Sequence, residues 1–158
     1  MRAVEVVFVC WGNICRSPMA ERVAQGWAER EGLEGVRFTS AGVSAEESGN
    51  PIDPRARRVL SAHGYDVGGH RAHRITAAEI ERADLVIGLE RLHVDRMRRL
   101  APGASGLCLL TDFDPDAEPG SGIDDPWYGD AAGFSGTLAS IEAAMPGVLE
   151  RVRRLQGR

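Results

Sequence analysis

The sequence contains no lysine, and all 19 of its basic residues are arginine, which excludes any mechanism that requires a catalytic lysine. Acidic residues number 23, so the formal net charge is −4. Without a basic tail, this balance does not favour a nucleic-acid partner. No apolar run approaches the ~20 residues of a membrane-spanning helix. Glu5 interrupts the first apolar run too early for a signal peptide, so we expect a cytoplasmic protein with no membrane association.

Cysteine is also scarce, and the three cysteines are Cys10, Cys15 and Cys108. An odd number in such a chain argues against a disulfide framework. The first two are too far apart for a Cys-x-x-Cys redox motif, and no Cys/His cluster has the spacing of a zinc site. We therefore expect no metal and no cofactor. The four histidines are isolated, and for most of them we expect a solvated or locally hydrogen-bonded side chain.

The 158 residues have the length of one domain, spanning 1–158, with one core. Residues 3–10 form a nearly continuous β-branched apolar run, which is typical of a buried parallel strand. Further strands are predicted at 36–40, 85–89 and 107–110, and helices at 19–31, 54–63, 76–82 and 91–100. A polar loop over 111–129 precedes a last helix, predicted to begin at Ser135 or Thr137. This alternation predicts an α/β fold, a doubly wound three-layer sandwich with a central parallel sheet of about four strands.

The loop between the first strand and the first helix, Cys10–Ser17, is the most informative segment. Such a loop can curl so that its backbone N–H groups converge on an anion, and the following helix dipole adds to the attraction. Gly12 and Asn13 tolerate the positive φ that this curl requires. Arg16 offers a planar fork to two oxygens of a phosphoryl group. These surroundings favour the nucleophilic thiolate of Cys10, which Ser17 can reach while also capping the helix.

An ordinary buried cysteine at a strand end is the alternative interpretation of this loop. Free cysteine usually behaves as a small apolar residue, so a lone cysteine would favour that alternative. The combination here is far more specific: Arg16 follows Cys10 by six residues, with glycine and asparagine between them and Ser-Pro after. It therefore favours a nucleophile in an anion-binding loop.

A second group of polar residues follows the last predicted strand, and in a parallel sheet it lies at the same edge as the nucleophile. Cleavage of an aryl phosphate ester needs a proton on the leaving oxygen, which a carboxylic acid on this loop can supply. Asp125 is the candidate, because Pro126 restricts its backbone, and Asp124 is the alternative. Trp127 and Tyr128 offer flat faces to a substrate ring.

The segment that begins Cys10-Trp-Gly-Asn-Ile-Cys-Arg-Ser-Pro and ends at Glu21 resembles the signature of the low-molecular-weight protein tyrosine phosphatases. The resemblance implies signalling through metal-free hydrolysis of phosphotyrosine, by way of a phosphocysteine intermediate on Cys10. It makes Arg16 the clamp on the phosphoryl group. The residues implied to bind phosphate are Trp11, Gly12, Asn13, Ile14, Cys15, Arg16 and Ser17. The pattern Asp-Pro-aromatic-Tyr-Gly resembles the family's general-acid loop and makes Asp125 the acid and later the base. Trp11 departs from the small or aliphatic residue expected there, and it would form the substrate rim with Trp127 and Tyr128.

The resemblance covers nearly the whole chain. It implies that His70 bonds Ser40 and supports Asn13. Cys15 is either a small packed residue or, by the resemblance, the partner of Cys10 in a reversible disulfide formed under oxidants. The implied partner is a phosphotyrosine-containing protein or a small aryl phosphate, with no nucleic acid and no membrane, and we expect a monomer.

Two other activities use a similar loop. Thioredoxin-coupled arsenate reductases relay electrons through two further mid-chain cysteines, whereas this chain has none between Cys15 and Cys108. Protein-arginine phosphatases have a loop that resembles Cys-Thr-Gly-Asn-Thr-Cys-Arg. The second threonine of that loop helps to position water, whereas this chain has Ile14 at the same place. A catalytically inactive phosphate-binding module is a third alternative, against which the intact nucleophile, arginine and acid argue.

Overall fold

The computed structural model of the chain describes residues 2–157. Its parallel sheet has four strands in the order β2-β1-β3-β4. The strands are β1 (Val4–Cys10), β2 (Val36–Gly42), β3 (Leu85–Gly88) and β4 (Leu107–Leu109). The helices are α1 (Arg16–Arg30), α2 (Pro54–Ala62), α3 (Ala77–Arg82), α4 (Arg91–Leu100) and α5 (Ala131–Gln156), with a 3-10 turn at Leu110–Phe113. The predicted α/β fold with a four-stranded parallel sheet is confirmed.

Apolar layers cover both faces of the sheet. Along β1, Val6 and Phe8 face the core that α1, α2 and α5 share, whereas Val7 and Val9 face a second cluster under α3 and α4. Burial on both faces explains why this strand has a nearly continuous apolar sequence. The strand order reverses direction at β1, so a crevice is expected at its carboxyl end, where Cys10 lies.

The start of α1 differs from the prediction that Ser17 caps this helix. The helix begins at Arg16 with Cys15 as its N-cap, and no side chain caps it. The hydroxyl of Ser17 instead bonds within the loop, to Asn13 and Cys10. The first N–H groups of α1 therefore have no side-chain cap, and such groups are the ones that can bind an anion.

The last helix begins earlier than predicted, at Ala131 rather than at Ser135 or Thr137. The carboxylate of Asp130 accepts hydrogen bonds from two N–H groups of the first turn, at 3.1 and 3.3 Å, and so caps the helix. Glycine in this first turn gave little helical signal. The helix then continues past Pro146 without a break. Within residues 2–157 no helix combines the length and the apolar composition needed to cross a bilayer.

The contact between α5 and the 3-10 turn generates a stability prediction. A Cβ at Gly147 would lie 2.4 Å from the carbonyl oxygen of Phe113. Gly147→Ala should therefore destabilise the fold by about 1–3 kcal/mol, because no space remains for a methyl group between α5 and the backbone of the 3-10 turn. Gly136→Ala is the control in the same helix, where an added Cβ meets nothing within 4 Å. It should stabilise by up to about 1 kcal/mol. Urea unfolding measures both, and equal stability of the two variants would contradict the prediction.

Candidate active site

A cleft of about 180 Å³ opens at the carboxyl end of β1. The loop after β1 forms one wall, the segment after β2 a second, and the long loop after β4 a third. Its lining residues include Cys10, Trp11, Gly12, Ile14, Cys15, Arg16, Glu46, Glu47, Asp125, Trp127 and Tyr128. The fold thus brings together the nucleophile, the arginine and the acid that the sequence singled out, although they are far apart along the chain.

Asn13 sets the shape of the loop after β1. Among residues 2–157 it is the one non-glycine residue with a positive φ, at 62°. Its buried side chain donates from Nδ2 to the hydroxyls of Ser17 (2.9 Å) and Ser40 (3.0 Å). Its Oδ1 accepts from the backbone N–H of His73 at 3.1 Å. Because asparagine tolerates the left-handed region and all of these bonds are made, the side chain holds the turn in place.

His70 supports Asn13 from the backbone side. Its Nε2 donates to the Asn13 carbonyl oxygen at 2.6 Å, and burial lowers the pKa of the ring, which favours the neutral form. The expected bond between His70 and Ser40 is absent from residues 2–157. Ser40 instead donates to Oε1 of Glu21 at 2.7 Å, because this buried carboxylate of α1 lies closer to it. Glu21 was not predicted to take part in this network.

Cys10 is buried, and its sulfur lies 3.0 Å from the hydroxyl oxygen of Ser17. That hydroxyl also lies 3.2 Å from the carbonyl oxygen of Ala41, and it accepts a bond from Asn13. The Ser17 hydroxyl has a single hydrogen. It can donate this hydrogen to the Ala41 carbonyl oxygen while Cys10 is a thiol, and to the sulfur when Cys10 is a thiolate. Together with the uncapped start of α1, it can therefore stabilise negative charge on the sulfur.

Three partners hold the guanidinium of Arg16, which is 3% exposed. Its Nη1 donates to the carboxylate of Glu90 and to the carbonyl oxygen of Ile123, the latter at 2.7 Å. Its Nη2 lies 3.5 Å from Oδ2 of Asp125. One nitrogen is thus anchored behind the site while the other faces the acid. The arrangement places a fixed positive charge where an anion would enter.

Glu90 and His93 also belong to the site, although neither was predicted from the sequence. Glu90 follows β3 and caps α4, so an acidic residue at the carboxyl end of a central strand was the one available signal. His93 accepts the N–H of Glu90 at Nδ1, 3.1 Å away. At 1% exposed, His93 is not solvated, and its bond to Glu90 makes it locally hydrogen-bonded, the other state expected of most histidines. Burial, and then the charge of Arg16, lower its pKa to about 3, so the ring is neutral.

A side chain from α2 holds the acid-bearing loop. Nη1 of Arg55 donates to the carbonyl oxygen of Trp127 at 3.0 Å. The guanidinium also lies over the rings of Trp127 (5.2 Å) and Phe134 (4.7 Å). Asp53, the N-cap of α2, fixes Arg55 through two bonds of 3.1 Å. This pair was not predicted, because its contact with the loop spans more than 70 residues.

Of the two adjacent candidates, Asp125 and not Asp124 lines the cleft. Oδ1 of Asp125 accepts the N–H of Trp127 at 3.0 Å, which leaves Oδ2 directed at Arg16. The carboxyl group is therefore held by its own turn and lies beside Arg16.

The rim of the cleft is aromatic and charged. Trp11 donates from Nε1 to Glu46 at 3.3 Å, and the guanidinium of Arg96 lies 4.6 Å from its ring centroid. Trp11 is therefore fixed between an acidic and a basic side chain. On the opposite rim, Trp127 is 40% and Tyr128 94% exposed, so both rings are available to a ligand.

Cys15 is a buried free thiol at the start of α1. Burial first, and then the carboxylate of Asp53, raise its pKa, which favours the thiol form. Cys10 is free as well, and the predicted disulfide between them stays a prediction. Cys108 is partly buried on β4, and burial raises its pKa to about 12.

Comparison with known proteins identifies relatives over almost the full length. The family model for Low molecular weight phosphotyrosine protein phosphatase matches residues 5–157. A low molecular weight protein-tyrosine-phosphatase of Streptomyces coelicolor is 42% identical over 159 residues, covering 97% of this chain and 96% of the relative.

Solved structures agree with this similarity. YfkJ from Bacillus subtilis has a TM-score of 0.90 at 27% identity, covering 98% of this chain and 97% of its own. The YwlE arginine phosphatase has a TM-score of 0.85 at 26% identity, covering 95% and 96%. That structure is of a cysteine-to-serine variant with a phosphorylated active site serine.

The buried ring of His93 generates a pH prediction. Burial lowers the pKa of this ring from the usual 6.5 of histidine to about 3, so below pH ~6.5 the unfolded chain binds a proton that the folded chain does not. The contribution of this neutral ring to the free energy of unfolding is therefore fully present above pH ~6.5, and it is lost as the pH falls towards 3. Between pH 7.5 and 5 this group should account for a loss of about 2 kcal/mol. His93→Gln keeps an acceptor for the Glu90 N–H and should remove that loss.

Urea unfolding at the two pH values measures the effect. His63→Gln, on an exposed histidine of the α2 end, is the control and should keep the wild-type pH dependence. An equal loss of stability in wild type and His93→Gln would contradict the prediction.

Proposed function

The chain belongs to the low molecular weight phosphotyrosine protein phosphatase family, and from this premise we propose that it hydrolyses phosphotyrosine and other aryl phosphate monoesters through phosphocysteine at Cys10. One observation carries the proposal: the sulfur of Cys10, the guanidinium of Arg16 and the carboxyl group of Asp125 line one cleft at the end of the sheet. The expected partner is a phosphotyrosine-containing protein.

The phosphoryl group binds in the loop from Cys10 to Ser17. Its oxygens accept hydrogen bonds from backbone N–H groups of the loop and from the start of α1, which has no competing side-chain cap. Arg16 meets two of the oxygens with its fork. No metal is needed in this proposal, because the loop and Arg16 supply the positive field. The phosphorylated active site serine of the YwlE variant supports Cys10 as the phosphoryl acceptor.

In the first step, the thiolate of Cys10 attacks phosphorus in line with the ester oxygen. An S–P bond forms, the P–O bond to the leaving group breaks, and Asp125 in its acid form gives the leaving oxygen its proton. Arg16 and the loop N–H groups stabilise the charge on the transferred phosphoryl group. Trp11, Trp127 and Tyr128 form the walls against which the ring of the substrate packs.

In the second step, water enters the place of the leaving group. Asp125, now a carboxylate, takes a proton from this water as it attacks phosphorus. The S–P bond breaks, phosphate forms, and Cys10 leaves as the thiolate that begins the next cycle. Ser17 stabilises that thiolate through the 3.0 Å contact with its sulfur.

A protein-arginine phosphatase activity is the second candidate. Glu46 and Glu47 line the mouth of the cleft, and two carboxylates there would favour a cationic guanidinium. Ile14, which also lines the cleft, favours the aryl substrate instead, because it lacks the hydroxyl that positions water for a P–N bond. The ratio of kcat/KM for phosphotyrosine and phosphoarginine separates the two, and our proposal predicts the larger value for phosphotyrosine.

Cys10→Ser tests the nucleophile. With a chelator and a reductant present, the wild type should hydrolyse p-nitrophenyl phosphate and Cys10→Ser should not, because an alcohol at this site is a far weaker nucleophile than a thiolate. The variant should still bind inorganic phosphate, measured by calorimetry, since the loop and Arg16 remain. Wild-type turnover that appears only with an added metal would refute the metal-free reaction.

The adjacent aspartates provide a matched test of the acid. Asp125→Asn should slow aryl phosphate hydrolysis by roughly 10²–10⁴-fold, because the leaving oxygen then departs without its proton. Asp124→Asn removes the same charge one residue away, outside the cleft, and should stay within about twofold of wild type. Steady-state kinetics with p-nitrophenyl phosphate measures both, and the opposite order would assign the acid role to Asp124.

A further inference from the structure

A second depression lies beside the active site, between α4 and the segment that follows β2. Its volume is about 330 Å³, and we call it the arginine groove. Its floor is apolar and buried, and consists of Val43, Ile75 and Met97. Its rim is exposed, and consists of three basic residues, Arg74, Arg96 and Arg99, and the apolar Leu100. A groove with an apolar floor and a rim of one charge sign is suited to a ligand with both characters.

The charge of this rim is not compensated. No acidic residue lines the groove, and within residues 2–157 none of its three guanidinium groups forms an ion pair or a hydrogen bond. Arg96 contacts the ring of Trp11 and no carboxylate. By contrast, Arg16 and Arg55 are both paired with carboxylates. In a chain with a net charge of −4, these three arginines concentrate positive potential at one place.

The groove adjoins the active site. Val43, on its floor, donates its backbone N–H to the carbonyl oxygen of Cys10 at 3.0 Å. Arg96, on its rim, lies over the ring of Trp11, which lines the cleft. One aromatic side chain thus separates the two depressions. On the cleft side of Trp11 the neighbouring side chains are the acidic Glu46 and Glu47, so the surface changes sign across this wall.

We propose that the arginine groove binds an acidic segment of the substrate protein that adjoins the phosphorylated tyrosine. The proposal rests on the phosphatase function above and adds a determinant of substrate choice. An extended peptide spans about 3.3–3.6 Å per residue, so a residue a few positions from the phosphotyrosine reaches past Trp11. Its carboxylates pair with the rim arginines and an apolar side chain covers the floor. A free inorganic anion would gain nothing from that floor, which favours a peptide as the occupant.

The change of sign across Trp11 makes the preference directional. Acidic residues on the side of the peptide that enters the groove are attracted, and acidic residues on the other side meet Glu46 and Glu47. Exposed charge pairs of this kind act mainly on specificity and association rate. The preference is therefore expected in kcat/KM, and it should weaken as salt screens the charges.

Three phosphotyrosine peptides of equal length test the proposal. One carries glutamates on the amino side of the phosphotyrosine, one carries them on the carboxyl side, and one carries glutamine on both sides. Each is assayed with wild type and with Arg74→Gln/Arg99→Gln, which leaves Arg96 and Trp11 intact. Arg57→Gln/Arg98→Gln removes two exposed charges away from the groove, one of them on the same helix, and is the matched control. p-Nitrophenyl phosphate reports the chemistry without the peptide.

We expect wild type to prefer one acidic peptide over the glutamine peptide by roughly five- to twentyfold in kcat/KM at low salt. Arg74→Gln/Arg99→Gln should reduce that ratio to about one, with p-nitrophenyl phosphate hydrolysis within twofold of wild type, and the control variant should keep the preference. Hydrolysis of p-nitrophenyl phosphate without a preference for either acidic peptide would overturn the groove proposal alone. A full preference for the acidic peptide in Arg74→Gln/Arg99→Gln would overturn it as well. So would a co-sedimentation assay with anionic-lipid vesicles in which the two substitutions weaken vesicle binding while the peptide preference is unchanged. Wild type inactive on every substrate would instead refute the phosphatase function.

Discussion

The hydrogen bonds of the buried Asn13 amide are the interaction on which the rest of the site depends. They keep a non-glycine residue in the left-handed region, which other side chains enter at a cost of about 1–2 kcal/mol. The amide joins three parts of the fold: α1 through Ser17, β2 through Ser40, and the 70–76 segment through His73. Because an unpaired buried polar group costs about 1–3 kcal/mol, losing any of these partners would weaken the turn that shapes the anion-binding loop.

The charges of the cleft form a second connected set. Arg16 is balanced by Glu90 at Nη1 and by Asp125 at Nη2, and the neighbouring His93 is neutral. In the proposed reaction, a phosphoryl group that enters the loop takes the place of Asp125 at Nη2 of Arg16, and the carboxyl group turns to the leaving oxygen. Glu90 would keep its bond to Nη1, so the guanidinium would keep its orientation while its partner at Nη2 changes.

Local sequence patterns were sufficient to predict part of the fold and part of the site. The apolar run of β1, the Cys10–Ser17 loop after it and the late position of Asp125 allowed the parallel sheet and three cleft residues to be predicted. Glu90 and Arg55 were not predicted, because the contacts that place them in the site, with Arg16 and Trp127, each join residues more than 70 positions apart. The position of Glu90 after a central strand was the one local signal. Ser17 was predicted to cap the helix because serine is a common N-cap residue. In the fold its hydroxyl instead forms hydrogen bonds within the loop, with Cys10 and Asn13.

Trapping the intermediate tests most directly whether the phosphoryl group passes to Cys10. Wild-type protein is mixed with an excess of an aryl phosphate, quenched within the first turnovers, and digested for mass spectrometry. We expect a phosphoryl group on the sulfur of Cys10 and on no other residue. A protein that turns over the same substrate while carrying the phosphoryl group on another side chain would contradict the proposed reaction.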